Sequence, residues 1–248
     1  MDYGKNRHAQ RLFDGIASRY NLLSELLSLF QAGLWRRYLI SRLEVRPGDT
    51  VLDLCTGTAR VAVHLATAFS VRVVGVDLSP EMLRRAQHRI SQGAFEGDIT
   101  LLLGRAEDLA FADECFDAVC FTYLLRYVED PEAILREIVR VLKPGGSLVS
   151  LEFGVPRNIV VRGLWYAYTR GALPLAVRAI SPGWREVGTF LGPSISGFYR
   201  SCPIERIQRM WVKAGISDVR TKRLSLGGGV VMWGTKVRGA KTPNLGGC

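Results

Sequence analysis

The sequence predicts an α/β domain built on a mostly parallel sheet. Three observations predict it. Short apolar or β-branched runs recur from Thr50 onward, each ending in a turn. The segments between them are long enough for one helix each, and two open on Ser79-Pro80-Glu81 and Asp130-Pro131-Glu132. The chain has 248 residues, 48% of them hydrophobic, enough for one sizeable core and better suited to one decorated domain than to two. Alternation at this spacing implies parallel strands with both faces covered.

Thr50–Cys55 reads as the first strand, and Val61–Phe69 as the helix after it. Val71–Val76 is β-branched throughout its apolar positions, the pattern of a strand buried on both faces. Ser79 then suits an N-cap, with Pro80 at the first helical position and Glu81 in the first turn. Ile99–Leu103 and Phe116–Thr122 are two more strands. Asp130-Pro131-Glu132 repeats the helix-start chemistry, and that helix is expected to run to Leu142. Lys143-Pro144-Gly145-Gly146 is expected to turn the chain into a fifth strand, Ser147–Phe153. Pro203–Ala214 with Gly215 reads as a last helix, and Ser217–Leu224 and Val230–Lys236 as a closing pair of strands.

These elements divide a single domain into a helical cap at 1–48, a sheet core at 49–153, an insert at 154–202, closing elements at 203–236 and a tail at 237–248. Arg11–Leu43 reads as helices with bulky apolar faces, and the tail is expected to be disordered. The start is polar and carries no signal-peptide core, and no run of eighteen uncharged apolar residues spans a membrane. Five scattered cysteines form no CxxC pair, which argues for a reducing compartment and against a structural zinc site. The Cys248 terminus makes no prenylation motif. His8, His64 and His88 sit at no strand end and are read as ordinary surface or packing residues.

Ligands of open α/β sheets bind beyond the carboxyl ends of the strands. The first such end carries Asp53-Leu54-Cys55-Thr56-Gly57-Thr58-Ala59, where a glycine lets the backbone turn tightly against a ligand. Asp77 ends the second strand, where a carboxylate can accept both hydroxyls of a ribose; taken alone it could equally cap the next helix. The joint register of Gly57, Thr58, Asp77 and Ala106 favours a nucleoside. The stretch lacks G-x-G-x-x-G, which tells against a dinucleotide with its pyrophosphate.

The runs VLDLCTGTARVAVHLA, VVGVDLSPEMLRRA, RAEDLAF and FDAVCFTYLLRYVEDPEAILREIVRVLKPGGSLVSLEF resemble the Rossmann-like class I methyltransferases. More narrowly, with FDGIASRYNLLSELLSLFQAGLWRRYL and GGGVVMWGTK, the chain is similar to the ubiquinone/menaquinone biosynthesis C-methyltransferase family, least so between Gly154 and Cys202. The resemblance implies an antiparallel last strand and S-adenosylmethionine as cofactor. It implies a cofactor shell of Asp53, Thr56, Gly57, Thr58, Asp77, Leu78, Arg105, Ala106 and Thr122. Gly57 and Thr58 would lie against the methionine and ribose, Asp77 would hold the ribose hydroxyls, Arg105 and Ala106 would flank adenine, and Thr122 would approach the methionine end. Five departures stand out. Ala59 replaces a second glycine, Arg60 an acidic residue, Tyr127 an asparagine, Asn21 an aspartate, and Phe190 a tyrosine. Arg105 also stands where an Asn or Asp is expected, and an arginine cannot accept from the adenine amino group.

Carbon methylation of a phenolic ring needs the ring oxygen deprotonated and its charge stabilised. Arg126 is the expected cation, too basic to remove the proton itself, with Tyr127, Tyr20 and Tyr123 as partners for the oxygen. The competing reading of Arg126 is a surface ion pair with Glu129 or Asp130. No metal is expected.

The net charge of +10 is concentrated in no tail. Between Glu152 and Glu186 stand five arginines and no acid, with Trp165, Tyr166, Tyr168 and Trp184. That composition suits a headgroup interface, so a cytoplasmic enzyme docked reversibly on the membrane through Gly154–Trp184 is expected. The alternative is an aromatic lid over the site. Nucleic acid is the weaker partner, since no RNA-binding module is present. The expected acceptor is a prenylated quinol. A phospholipid amine, a natural product and a non-catalytic cofactor-binding subunit stay open, as does a homodimer.

Overall fold

The computed structural model describes residues 20–93, 95, 98–178 and 182–239. The expected tail from residue 240 and the segment before Tyr20, His8 included, lie outside them.

The core elements follow the sequence pattern closely. Strand β1 is Thr50–Leu54, followed by helix α3 (Arg60–Phe69), then β2 (Arg72–Asp77) and helix α4 (Pro80–Gln92). Strands β3 (Ile99–Leu103) and β4 (Phe116–Thr122) lead to helix α5 (Pro131–Val141). The two helix starts are capped as their residues dictate. Ser79 Oγ accepts from Met82 N at 3.1 Å, and Asp130 Oδ1 from Glu132 N at 2.9 Å. Ahead of the sheet lie α1 (Tyr20–Leu27) and α2 (Ala32–Ile40).

One expectation needs correcting. Lys143-Pro144-Gly145-Gly146 does not separate helix from strand. Strand β5 already starts at Leu142 and runs to Phe153, with a bulge where residue 117 of β4 faces residues 143–146. A Cβ on Gly146 would fall 2.7 Å from the Asp117 carbonyl oxygen, so the bulge tolerates only glycine there.

The insert folds as α6 (Ile159–Ala167), a π turn at Tyr168–Ala172, α7 (Leu173–Arg178) and α8 (Pro182–Ser201). The chain closes with α9 (Ile204–Ala214), β6 (Ile216–Leu224) and β7 (Gly229–Lys236). The sheet has seven strands in the order β3-β2-β1-β4-β5-β7-β6. β1 to β5 pair in parallel, and β7 pairs antiparallel with both β5 and β6. Strand order reverses between β1 and β4, which places a cleft beyond their carboxyl ends.

Helices α2 to α4 and the insert supply the core on one face, with Leu39, Leu65 and Trp184 among its buried residues. Helices α5 and α9 cover the other, around Ile134, Leu135 and Trp211. Burial of Trp184, only 2% exposed, corrects its expected role as a membrane-inserting residue. It belongs to the packing of α8. The side chains of Arg178 and Arg185 lie outside the described residues.

Candidate active site

A cleft of about 790 Å³, counted with its mouth, opens at the carboxyl ends of β1, β2, β3 and β4. Its wall begins in the turn after β1. There Cys55, Gly57 and Ala59 all take left-handed backbone, with φ of 57°, 55° and 58°. Glycine meets this geometry without strain, whereas Cys55 and Ala59 hold it against their Cβ atoms. Ala59 therefore stands at a position whose backbone would suit the glycine expected there from the sequence resemblance.

Asp77 fixes that turn. Its Oδ2 accepts from Gly57 N at 2.8 Å and its Oδ1 from Ser79 N at 2.9 Å. The carboxylate thus joins the turns after β1 and β2 and stands on the cleft wall between them. Asp77 thus bonds the amide just ahead of α4, whose N-cap is Ser79, and also faces the cleft.

Of the other expected shell residues, Gly57, Leu78, Arg105, Ala106 and Thr122 line the cleft. Asp53, Thr56 and Thr58 are not among its lining residues. Asp53 is fully buried beneath the turn, where it accepts from Thr56 Oγ1 at 2.7 Å. Burial pushes its carboxyl up to about 7, against the lowering effect of that bond. Thr58 is buried as well, and its carbonyl accepts from Arg89 Nε at 2.8 Å. These three residues shape the turn from below.

Sequence reasoning missed much of the wall. Leu54, Val76, Met82, Leu124 and Val128 give it an apolar slot, and Glu107 adds a second carboxylate. The slot residues are ordinary core types, without a chemical signature in the sequence. Glu107 could have been found, because it follows Ala106 at the third strand end.

Cys55 reports the electrostatics of the wall. Burial raises its thiol well above the ordinary range, and the carboxylates of Asp77, Glu152, Asp53 and Glu107 raise it further. In a chain of net charge +10, two acidic side chains, Asp77 and Glu107, line this cleft, with Asp53 buried beneath its β1 turn.

The far side of the cleft is aromatic. Tyr123 follows β4 with φ +60°, a strained conformation for an aromatic residue, and stacks on Phe153 at 4.3 Å. Leu125–Tyr127 forms a 3₁₀ turn, anchored where Leu125 N donates to Glu152 Oε1 at 2.9 Å. Arg126 Nη2 donates to Tyr127 Oη at 2.5 Å, and its guanidinium lies over the rings of Tyr127 at 4.5 Å and Phe153 at 5.5 Å. Tyr127 lines the cleft, and Arg126 stands behind it. Burial pushes Glu152 up to about 7, with Arg126 drawing it down. Glu152 was not anticipated from the sequence, where it is one acid at the end of an apolar strand.

Two sequence departures meet here. Tyr127 stacks on Phe190 of α8 with centroids 6.5 Å apart and planes 21° apart. A third departure, Arg60, pairs with Glu25 of α1 at 3.0 Å, and Arg36 reaches the same Glu25 oxygen at 2.9 Å. The side chains of Tyr20 and Asn21 lie outside the described residues, so the expected contribution of Tyr20 has no geometry here.

Comparison with known proteins gives this site a lineage. The model of the ubiE/COQ5 methyltransferase family matches residues 1–236. A demethylmenaquinone methyltransferase of Mycobacterium marinum is 38% identical over 226 residues, covering 91% of each chain. The ubiquinone/menaquinone biosynthesis C-methyltransferase UbiE of Syntrophotalea carbinolica is 41% identical, covering 73% of this chain and 76% of its own. Among solved structures, an S-adenosylmethionine-dependent methyltransferase of Thermotoga maritima matches at a TM-score of 0.59 and 25% identity, over 91% of this chain and 99% of its own. The phosphoethanolamine N-methyltransferase 2 of Haemonchus contortus, solved with S-adenosylhomocysteine, shares the fold at a TM-score of 0.60 and 18% identity, over 82% of this chain and 52% of its own.

Proposed function

The chain belongs to the ubiE/COQ5 methyltransferase family of S-adenosylmethionine-dependent enzymes, and on that premise we propose that it methylates a ring carbon of a prenylated quinol of the demethylmenaquinol type. The observation that carries the reading is a juxtaposition across one cleft: acidic side chains around Cys55 on one wall, the Arg126–Tyr127 pair against the other.

The acidic wall fits the cofactor. A sulfonium is a cation, and carboxylates in a partly desolvated cleft attract it more strongly than they would in water. Asp77 offers an acceptor for the ribose hydroxyls, since a carboxylate has acceptor capacity beyond its two backbone bonds. Leu78, Met82, Ala106 and Val128 offer a flat apolar slot for adenine. When bound, the cofactor supplies an already activated methyl group, so a covalent enzyme intermediate is not required.

The remaining work falls on this chain's residues: aligning the ring, excluding water and holding the ring oxygen as an anion. Arg126 donates to Tyr127, which strengthens Tyr127's own O–H as a donor toward that oxygen. The stacked rings of Tyr123, Phe153, Tyr127 and Phe190 suit a flat aromatic acceptor. A lipid-soluble acceptor would be met by reversible docking through Gly154–Trp184, and no helix among the described residues is long and apolar enough to cross a membrane.

The test is transfer of a labelled methyl group into a membrane lipid extract, with mass analysis of the product. Label on a quinone ring carbon supports the reading. Label on a phosphatidylethanolamine derivative or a natural product overturns it in favour of another acceptor. Absence of transfer to every pool supports a non-catalytic cofactor-binding subunit instead.

A further inference from the structure

Seven of the most exposed apolar residues fall in three segments. Leu29, Phe30 and Leu34 at the α1–α2 corner are 60%, 65% and 57% exposed. Leu226, in the turn before β7, is 78% exposed. Ile159, Val160 and Leu164 of α6 are 74%, 67% and 67% exposed, and no residue of that helix is buried.

These three segments are far apart in sequence and tied together in space. Trp35 Nε1 donates to Ser225 Oγ at 2.8 Å, and Ser225 Oγ donates to Gln31 Oε1 at 3.3 Å, which joins the corner to the turn. Gly154 N donates to Gly228 O at 2.8 Å, which joins the turn to the chain entering α6. Tyr168 Oη donates to Leu26 O at 2.5 Å, which returns the end of the insert's first helical stretch to α1.

The backbone gives an independent sign. Leu29, Phe30 and Leu226 have φ of 51°, 62° and 58°. Left-handed backbone disfavours residues that carry a Cβ, and glycine or asparagine is its usual occupant. Here strained turns hold large apolar side chains in water, and such strain clusters at functional surfaces. Beneath the corner, Trp35 packs edge-on against Phe153 at 5.7 Å, and Phe153 stacks on Tyr123 at the cleft wall.

We infer that the α1–α2 corner, the Leu226 turn and α6 form one apolar rim that inserts into the interfacial layer of an anionic lipid bilayer. The charge pattern selects this occupant. The insert that carries α6 has five arginines and no acid between Glu152 and Glu186. Arginines beside an apolar face suit anionic headgroups over acyl chains. Arg157 is paired with Glu205, but Arg162 of α6 and Arg170 of the π turn after it would meet no counter-charge in a protein partner's apolar patch. The inference deepens the lipid-acceptor reading above, since the rim adjoins the aromatic side of the cleft, and it moves the contact away from Trp184.

Vesicles of phosphatidylcholine, with and without 30% phosphatidylglycerol as a nominal loading of about that size, test it by co-sedimentation at low and high salt. Phe30→Ser, Leu226→Ser and Ile159→Ser are compared with Val212→Ser, an equally exposed apolar residue on α9. The wild type is expected to bind the anionic vesicles and to release as salt rises. Each rim variant is expected to bind about fivefold or more weakly, and Val212→Ser as the wild type. Thermal melting checks that the variants fold. Turnover of a short-chain, water-soluble quinol in free solution reads the catalytic proposal separately, and rim variants are expected to retain it. Wild-type vesicle binding by the three rim variants overturns the inference, as does absence of wild-type binding. Loss of self-association in the rim variants, with vesicle binding intact, overturns it in favour of an interface between two copies.

Discussion

The two sides of the cleft are built by different means. The β1–β3 side is held by carboxylates: Asp77 accepts from the Gly57 and Ser79 amides, and Asp53 accepts from the Thr56 hydroxyl beneath. The β4–β5 side is held by rings and a guanidinium: Tyr123 on Phe153, Arg126 over Phe153 and Tyr127, Tyr127 on Phe190. Each side nevertheless rests on one buried carboxylate at a strand end, Asp53 or Glu152, and burial pushes both up to about 7. The first construction fixes a backbone path and tolerates little. The second is a packed surface whose members can change together, which suits a wall that must match one acceptor among many.

The largest effect is expected on the carboxylate side. Asp77→Ala removes the acceptor for two backbone amides and the one offered to the ribose. Hydrogen bonds to charged groups contribute about 1.5–3 kcal/mol each, so cofactor affinity should fall on the order of a thousandfold. Calorimetric titration reads it directly. Binding close to wild type would show that the two walls do not divide the work as described.

Arg126→Gln tests the aromatic side. It retains a donor near Tyr127 but removes the charge. We expect kcat to fall about a hundredfold, the scale of losing one oxyanion donor, with cofactor affinity unchanged. A loss of cofactor affinity in place of kcat would merge the two sides into one unit.

The two buried carboxylates sharpen the comparison through pH. A carboxyl raised in the folded state binds a proton that the unfolded chain has already lost, so stability falls as pH rises. The window runs from about 4 to about 7, given the ordinary values of 3.8 and 4.5 and the raised values near 7. Melting temperature should therefore decline between about pH 4 and about pH 7. Asp53→Asn and Glu152→Gln should each flatten part of that slope, on the order of 2 kcal/mol per residue at pH 8. Equal slopes in wild type and both variants would mean that neither group carries a proton at pH 6.

The carboxylate side was largely legible in the sequence, and the reason is local. Gly57, Asp77 and Ala106 follow strands whose β-branched runs announce them, and the helix after Asp77 starts on a Ser-Pro-Glu signal. Even there, Asp53 and Thr58 were placed on the wall although they lie under it, because sequence gives the order of a turn and not which side chains point inward. On the aromatic side, Arg126 was legible as a strand-end residue, but Glu152 was hidden in an apolar run. The contact between positions 127 and 190 joins a 3₁₀ turn to a distant helix, a long-range pairing that no local periodicity encodes. Trp184 resembles an interfacial residue in composition for a related reason, and only packing shows it buried while Leu29, Phe30 and Leu226 are exposed.

The smallest effect concerns that long-range pair. The family resemblance leads one to expect asparagine and tyrosine where this chain has Tyr127 and Phe190, which would put the phenolic ring with its hydroxyl on the opposite partner of the stack. If the two departures compensate, Tyr127→Asn and Phe190→Tyr should each be worse than their combination. Tyr127→Asn alone removes the ring under Arg126 and the acceptor of its 2.5 Å bond. Phe190→Tyr alone adds a hydroxyl beside a stack already bonded through Tyr127. The double variant returns one aromatic ring and one hydroxyl to the pair. Stacked aromatic pairs couple by about 0.5–1.5 kcal/mol, so a double-mutant cycle on kcat/KM for a quinol should show a coupling of about 1 kcal/mol, a recovery of roughly fivefold over the additive expectation. The cofactor Kd should not move in any of the three variants, because the pair lies on the aromatic side alone. Strict additivity would show that the two substitutions are independent, and would leave the ring stack as packing without a part in choosing the acceptor.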